Sequence, residues 1–260
     1  MRAVRYGGNE EFAINQAWPQ DSSALDNPVW SALNGPHRSL ARRLHDLTWY
    51  PPSIAPFVAI PAAHVLPDLE SAHRHGLGDQ AYFVGACPNS LPEGWRLVSH
   101  SNILQLFPTG EIPERGEDAG TVLGESDRIA MRELTQIAFP DFFRERTPDL
   151  GVYLGIYDGG RLIAMAGERL ALAGLQEISG VCTHPAFAGR GHARRLTRAL
   201  LSRQRRRGVG SFLHVSEGNA GARRLYDSMG FVVRASLAMC KVERIAAQPS
   251  PKRPDGPTHR

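Results

Sequence analysis

The sequence predicts an α/β chain of the α+β kind, with a mixed, mostly antiparallel central sheet flanked by helices. Three observations predict it. Two strand-like runs, residues 152–157 and 162–170, are joined by Asp158-Gly159-Gly160, a strong hairpin signal. A third strand-like run, residues 175–183, follows at once. Beyond it, strand-like and helix-like segments alternate, which places helices against a sheet.

In chain order, Asn27-Pro28 reads as an N-cap with Pro at N1, opening a helix to about residue 33. Residues 39–47 read as a second helix, and 67–75 as a third. Residues 57–60, 81–84, 95–98 and 103–107 have strand character. The stretch TGEIPERGEDAG, residues 109–120, lacks periodicity and is rich in turn formers, so it reads as a loop or linker. Helical spacing of Ile129, Ala130, Leu134 and Ile137 predicts a helix over 126–137, and residues 142–146 suggest a short one. A helix is expected over 191–206, a strand over 211–215, and a helix over 219–229 with Gly230 at C′. A final strand covers 231–241. The expected organisation is an accessory part at 1–115, a main domain at 116–245 and a Pro-rich disordered tail at 246–260.

The 260 residues suffice for a sizeable core, and 42% hydrophobic with 22% charged residues is ordinary for a soluble protein. The net charge of +4 suits small anions and argues weakly for nucleic acid. It is carried almost wholly by Arg, since Lys241 and Lys252 are the only lysines. The opening MRAVRYGGNEEF has no apolar signal region, and no apolar run reaches the roughly 18 residues of a membrane span. A cytoplasmic protein is expected. Cys87, Cys182 and Cys240 show neither metal-ligand spacing nor a disulfide framework. His64, His73 and His75 match no common metal site and read as solvated. No metal is expected.

The chemistry-bearing stretch is VCTHPAFAGRGHARRL, residues 181–196. A strand runs into Gly189-Arg190-Gly191-His192-Ala193, and a helix follows. Glycines let backbone N–H groups converge on an anion, and a helix N-terminus adds its dipole. The turn is neither a P-loop nor G-x-G-x-x-G, so a pyrophosphate cradle and an ordinary strand–helix connection both fit it. A second stretch, HVSEGNAGARRLYDSMGFVV (residues 214–233), puts Asn219, Ala222 and Tyr226 on one helical face.

With both stretches in view, the sequence resembles the GNAT superfamily of acyl-CoA-dependent N-acetyltransferases over about residues 121–241. EISGVCTHP and GVYLGIYDGGRLIAMAGERL look like a bacterial branch related to the acetyltransferase-like part of glycine N-acyltransferases. LDNPVWSALNGPH looks like the upstream region common in that branch, which implies that residues 1–115 form an α/β accessory or degenerate acyltransferase-like domain. The resemblance implies a GNAT fold, acetyl-CoA as co-substrate, and an amine acceptor that is a small molecule or peptide. Nucleic acid and membrane are not expected as partners, and a homodimer stays open. By position, Val181, Cys182 and Thr183 would pair with pantetheine. Gly189, Arg190, Gly191, His192, Ala193 and Arg194 would surround the pyrophosphate. Asn219 would touch the cofactor arm, and Tyr226 would act as general acid. The base is expected to be Glu177 through water, with Glu168 as runner-up. The superfamily pattern [Q/R]-x-x-G-x-[G/A] is met at Gly191 and Ala193, but Ala188 stands where Gln or Arg is usual, with Arg190, Arg194 and Arg195 nearby to compensate in part. A non-catalytic acyl-CoA-binding regulator is the alternative. The run RQRRRG, residues 203–208, reads as a solvated helix end rather than a nucleic-acid patch.

Overall fold

The computed structural model describes residues 23–109, 120–139 and 142–245. Along the chain, α1 (Ser23–Asp26) and α2 (Pro28–Asn34) precede a hairpin of β1 (Arg42–Leu44) and β2 (Leu47–Trp49). Then come β3 (Val58–Ala59), α3 (Leu69–Arg74), β4 (Gln80–Val84) and β5 (Trp95–Pro108). The second half holds β6 (Thr121–Val122), α4 (Arg128–Ala138), β7 (Tyr153–Asp158), β8 (Arg161–Leu172) and β9 (Leu175–Thr183). It ends with α5 (His192–Arg206), β10 (Gly210–Ser216), α6 (Ala220–Asp227) and β11 (Phe231–Arg244).

Turn chemistry sets the middle of this order. Gly159 and Gly160 sit at φ 53° and 81°, the left-handed pair that closes a tight hairpin, and β7 pairs antiparallel with β8 as expected. Eight strands form one sheet in the order β4-β11-β5-β10-β9-β8-β7-β6, and β1-β2-β3 form a small second sheet. Within the large sheet every neighbouring pair is antiparallel except β9–β10. Helix α5 makes the crossover between those two parallel strands, burying Leu196, Leu200 and Leu201 against Leu213 and Ile178. The mixed, mostly antiparallel sheet flanked by helices is the expected fold class.

The sheet runs across the expected boundary at 115/116. Strands β4 and β5 lie before it, yet they pair with β11 and β10 from beyond it. One core joins Leu25, Val29 and Phe57 to Leu170, Phe212 and Leu237. The first part therefore shares its core with the second. Residues 110–119 of the expected linker and the tail at 246–260 lie outside the described residues.

Three local expectations are corrected. Residues 39–47 are not helical: a turn with His45 at φ 50° joins β1 to β2, and Leu47 and Trp49 sink into a cluster with Leu69 and Phe83. No helix covers the described part of 142–146; a 3-10 turn follows at Thr147–Leu150 instead. The two strands expected at 95–98 and 103–107 are one, because the polar run between them stays paired with β11.

The cysteine reading is corrected as well. Cys87 and Cys240 form a disulfide 153 residues apart in sequence. Pairing of β11 with β4 brings them together, which no local spacing reveals. His100 joins them in the one three-donor cluster found among the described residues, where both sulfurs already bond each other. His73 is held by Asp79 and His75 by the Ser71 carbonyl. None of the described helices is long and apolar enough to cross a membrane.

Candidate active site

The parallel pair β9–β10 is zipped over only four residues, from Leu175↔Gly210 to Ile178↔Leu213. Beyond that point β9 continues through residues 179–183 and β10 through 214–216 with no pairing between them. A bulge in β9 accompanies the parting: its register on β8 jumps between Cys182↔Met165 and Ser179↔Gly167, with Gly180 at φ +62°. The Tyr153 ring lies across Gly167 and Gly180. A Cβ on Gly180 would approach that ring to 3.1 Å, and one on Gly167 would collide with it.

A cavity of about 570 Å³ opens at this wedge. Val181, Cys182 and Thr183 line it from β9, Val215 and Ser216 from β10, and Asn219, Ala222 and Tyr226 from α6 and its cap. Thus two distant sequence stretches meet as the resemblance implies. Tyr226 is 6% exposed, and its ring packs on Phe231. No hydrogen bond to its hydroxyl is found among the described residues. Burial pushes the phenol up to about 12, so it stays protonated and able to donate. The Asn219 side chain accepts the Ala222 N–H at 3.0 Å and so serves as the N-cap of α6 at the cavity rim. Burial likewise pushes the Cys182 thiol up to about 12, which leaves it unreactive.

The glycine turn lies outside this lining, at the start of α5. Gly189 and Gly191 adopt φ +77° and +79°, with nothing within 4 Å of where a Cβ would stand. Backbone conformation, not space, calls for glycine there. Among the described residues, the N–H groups of Gly189, Arg190 and Gly191 donate to no acceptor. They adjoin the first turn of α5, where His192 and Ala193 lie. Arg190 is stacked 5.0 Å over the Phe187 ring. Arg194 donates to the Ser228 carbonyl and hydroxyl at 3.3 and 2.7 Å, which ties α5 to the end of α6. At the other end of α5, Arg206 bonds the Ser202 hydroxyl, and just beyond it Arg207 bonds Glu168.

The expected base is corrected by its surroundings. Glu177 is fully buried and does not line the cavity. Its carboxylate accepts from Arg169 Nε and Nη2 (2.8 and 2.6 Å), from the Leu170 N–H (3.1 Å) and from His214 Nδ1 (2.8 Å). Burial alone would raise its pKa, yet the Arg169 guanidinium and then His214 hold it well below the usual carboxylate range. Glu168 is sealed too: it accepts from Arg207 (2.6 Å), Gln204 (3.1 Å) and the Val152 N–H (3.1 Å). Neither carboxylate lines the cavity.

Sequence reasoning missed the residues that Glu177 organises. His214 and Arg169 both line the cavity. With Nδ1–H donated to Glu177, His214 presents Nε2 as an acceptor, 3.0 Å from Gln105 Nε2. The Gln105 amide orientation is fixed, since Nε2 also donates to the Leu25 carbonyl and Oε1 accepts from Arg234. The signal was a lone His in the apolar strand SFLHVS and a lone Arg in AGERLAL. The first part of the chain supplies Val29, Phe57, Val84 and Ile103 to the same cavity.

The family model described as FR47-like protein matches residues 153–240. A crystal structure from Novosphingobium aromaticivorans, of a protein assigned to the GNAT family of acetyltransferases, is 33% identical with a TM-score of 0.75. That match covers 85% of this chain and 98% of the other. A GCN5-related N-acetyltransferase from Kribbella flavida is similar in fold, at 18% identity and TM-score 0.54, over 84% of this chain and 95% of its own. No curated protein matches the sequence.

Proposed function

The chain belongs to the GNAT family of acetyltransferases, and on that premise we propose that it transfers an acetyl group from acetyl-CoA to a primary amine by direct attack in a ternary complex. The observation that carries this reading is the wedge between β9 and β10, with the unpartnered N–H groups of Gly189, Arg190 and Gly191 following β9 along the chain. The unpaired edge at residues 181–183 offers backbone groups to the pantetheine amides. The converging N–H groups and the α5 dipole suit a pyrophosphate.

Acetyl-CoA supplies the activated thioester carbonyl. The remaining tasks fall to this chain. A strand N–H at Val181, beside the bulge, is the donor for the oxyanion. Tyr226, buried and protonated, gives its proton to the leaving sulfur. The proton lost by the amine goes to water in the cavity, because Glu177 and Gln105 already engage both ring nitrogens of His214.

Free-thiol release from acetyl-CoA, measured over a panel of amines, tests the reading. Thiol release should require an amine, and the rate should rise with pH as the amine loses its proton. Thiol release that does not depend on an amine would remove direct attack from the reading. Tight acetyl-CoA binding with no thiol release on any amine would favour the non-catalytic acyl-CoA-binding alternative.

A further inference from the structure

The cavity has no acidic side chain in its lining among the described residues. Its apolar lining includes Phe57, Ile103, Ile137, Phe142, Phe143 and Met239. Phe142 stacks on Phe57, with centroids 6.0 Å apart and planes 13° apart. Arg169 lies 5.0 Å over the Phe57 ring and directs Nε and Nη2 to Glu177. The positive charge of Arg169 is thereby matched by Glu177.

Such a lining discriminates by charge. A second ammonium group would lose its water and meet no counter-charge among the described residues. A substrate carboxylate would find the one guanidinium already held by Glu177. An aromatic or branched apolar group gains by leaving water and stacking on the phenylalanines. The same apolar walls favour the uncharged form of the reacting nitrogen, which is the nucleophile.

We propose that the acceptor is a hydrophobic monoamine, aromatic or bulky aliphatic, with no charge beyond its reacting nitrogen. This rests on the acetyl-transfer reading. In the reaction the nitrogen–acetyl carbon bond forms and the carbon–sulfur bond breaks. One proton leaves the nitrogen and one is delivered to sulfur, so the products are an N-substituted acetamide and the CoA thiol.

The experiment compares phenethylamine, phenylalanine and spermidine as acceptors for the full chain, by thiol release at a single pH. The value of kcat/KM for phenethylamine should exceed each of the others by at least about tenfold. Phenylalanine matching phenethylamine overturns the proposal by showing that the carboxylate is accommodated. Spermidine matching it overturns the proposal by showing that a second cation is. Ile137→Asp adds a carboxylate at the rim, where the native side chain is 48% exposed, so folding tolerates it. It should shift the ratio towards spermidine at least about fivefold, and an unchanged ratio overturns the charge argument. Absence of thiol release with all three amines, while acetyl-CoA still raises the Tm, overturns the transfer reading itself and this proposal with it.

Discussion

The two halves of β9 share one backbone and have opposite fates. In the first half, from Leu175 to Ile178, each residue is buried and paired to β10, and Glu177 collects four donors. In the second half, residues 179–183 part from β10 and line the cavity. The difference teaches how to read a charged residue on this strand. On the zipped half a carboxylate is an anchor, because its neighbours satisfy it completely. On the splayed half it is the backbone that is left available to a ligand.

Removing the anchor should have the largest effect. Glu177→Ala strips the counter-charge from a buried Arg169 and should destabilise the fold by about 3–5 kcal/mol, read as a loss of Tm or of denaturation midpoint. The pH dependence has a definite sign. The Glu177 pKa is depressed in the folded state, so its contribution is fully present above the ordinary carboxylate range and is lost as pH falls below it. Glu177→Gln should therefore flatten the fall of Tm with acidification below about pH 5. An unaltered Tm in Glu177→Ala would erase the distinction between the two halves.

The splayed half is probed through chemistry instead. Tyr226→Phe keeps the ring against Phe231 and removes the hydroxyl. Turnover should drop on the order of 100-fold while acetyl-CoA affinity changes little, by single-turnover kinetics and direct binding respectively. An equal loss in both would make Tyr226 a wall of the site and nothing more.

At the rim the effect should be smaller. Gly191 holds φ +79° with open space around the missing Cβ, so Gly191→Ala bears only the left-handed backbone cost, about 1–2 kcal/mol. Relaxing that strain rotates the neighbouring N–H groups, so weaker acetyl-CoA binding should accompany the lower Tm. Lost stability with unchanged affinity would dissociate the turn from the cofactor.

The same contrast explains what the sequence disclosed. The β7–β8 hairpin, β9, α5, β10 and α6 were legible because turn glycines and short-period patterns are local signals. Residues 39–47 misled because their helical spacing yields to burial of Leu47 and Trp49 under α3 and β4, a tertiary demand. In the site, Val181, Tyr226 and Asn219 line one cavity. The role of Glu177 was not legible, because the groups that seal it arrive from β8 and β10, across the sheet. Strand position alone cannot distinguish a carboxylate aimed at a cavity from one held by neighbouring strands. His214 and the Phe57 wall were missed for the same reason: each matters only through partners distant in sequence.

The smallest expected effect tests what lies just outside the wedge. Ala188 takes φ −62° and ψ 156°, an extended conformation open to any residue, and its side chain is exposed. Ala188→Arg should therefore fold as the parent does. The sequence offers Arg190, Arg194 and Arg195 as partial substitutes for the missing charge; of these, Arg190 is stacked on Phe187 and Arg194 is tied to Ser228. A charged hydrogen bond contributes about 1.5–3 kcal/mol when sheltered, and solvent reduces it at an exposed turn. The gain in acetyl-CoA affinity should be no more than about tenfold and should shrink with added salt. Calorimetric titration at two ionic strengths checks both. Unchanged affinity at low salt would mean that Arg190 leaves Phe187 to serve the phosphates, moving the boundary between anchored and available groups out to the turn itself.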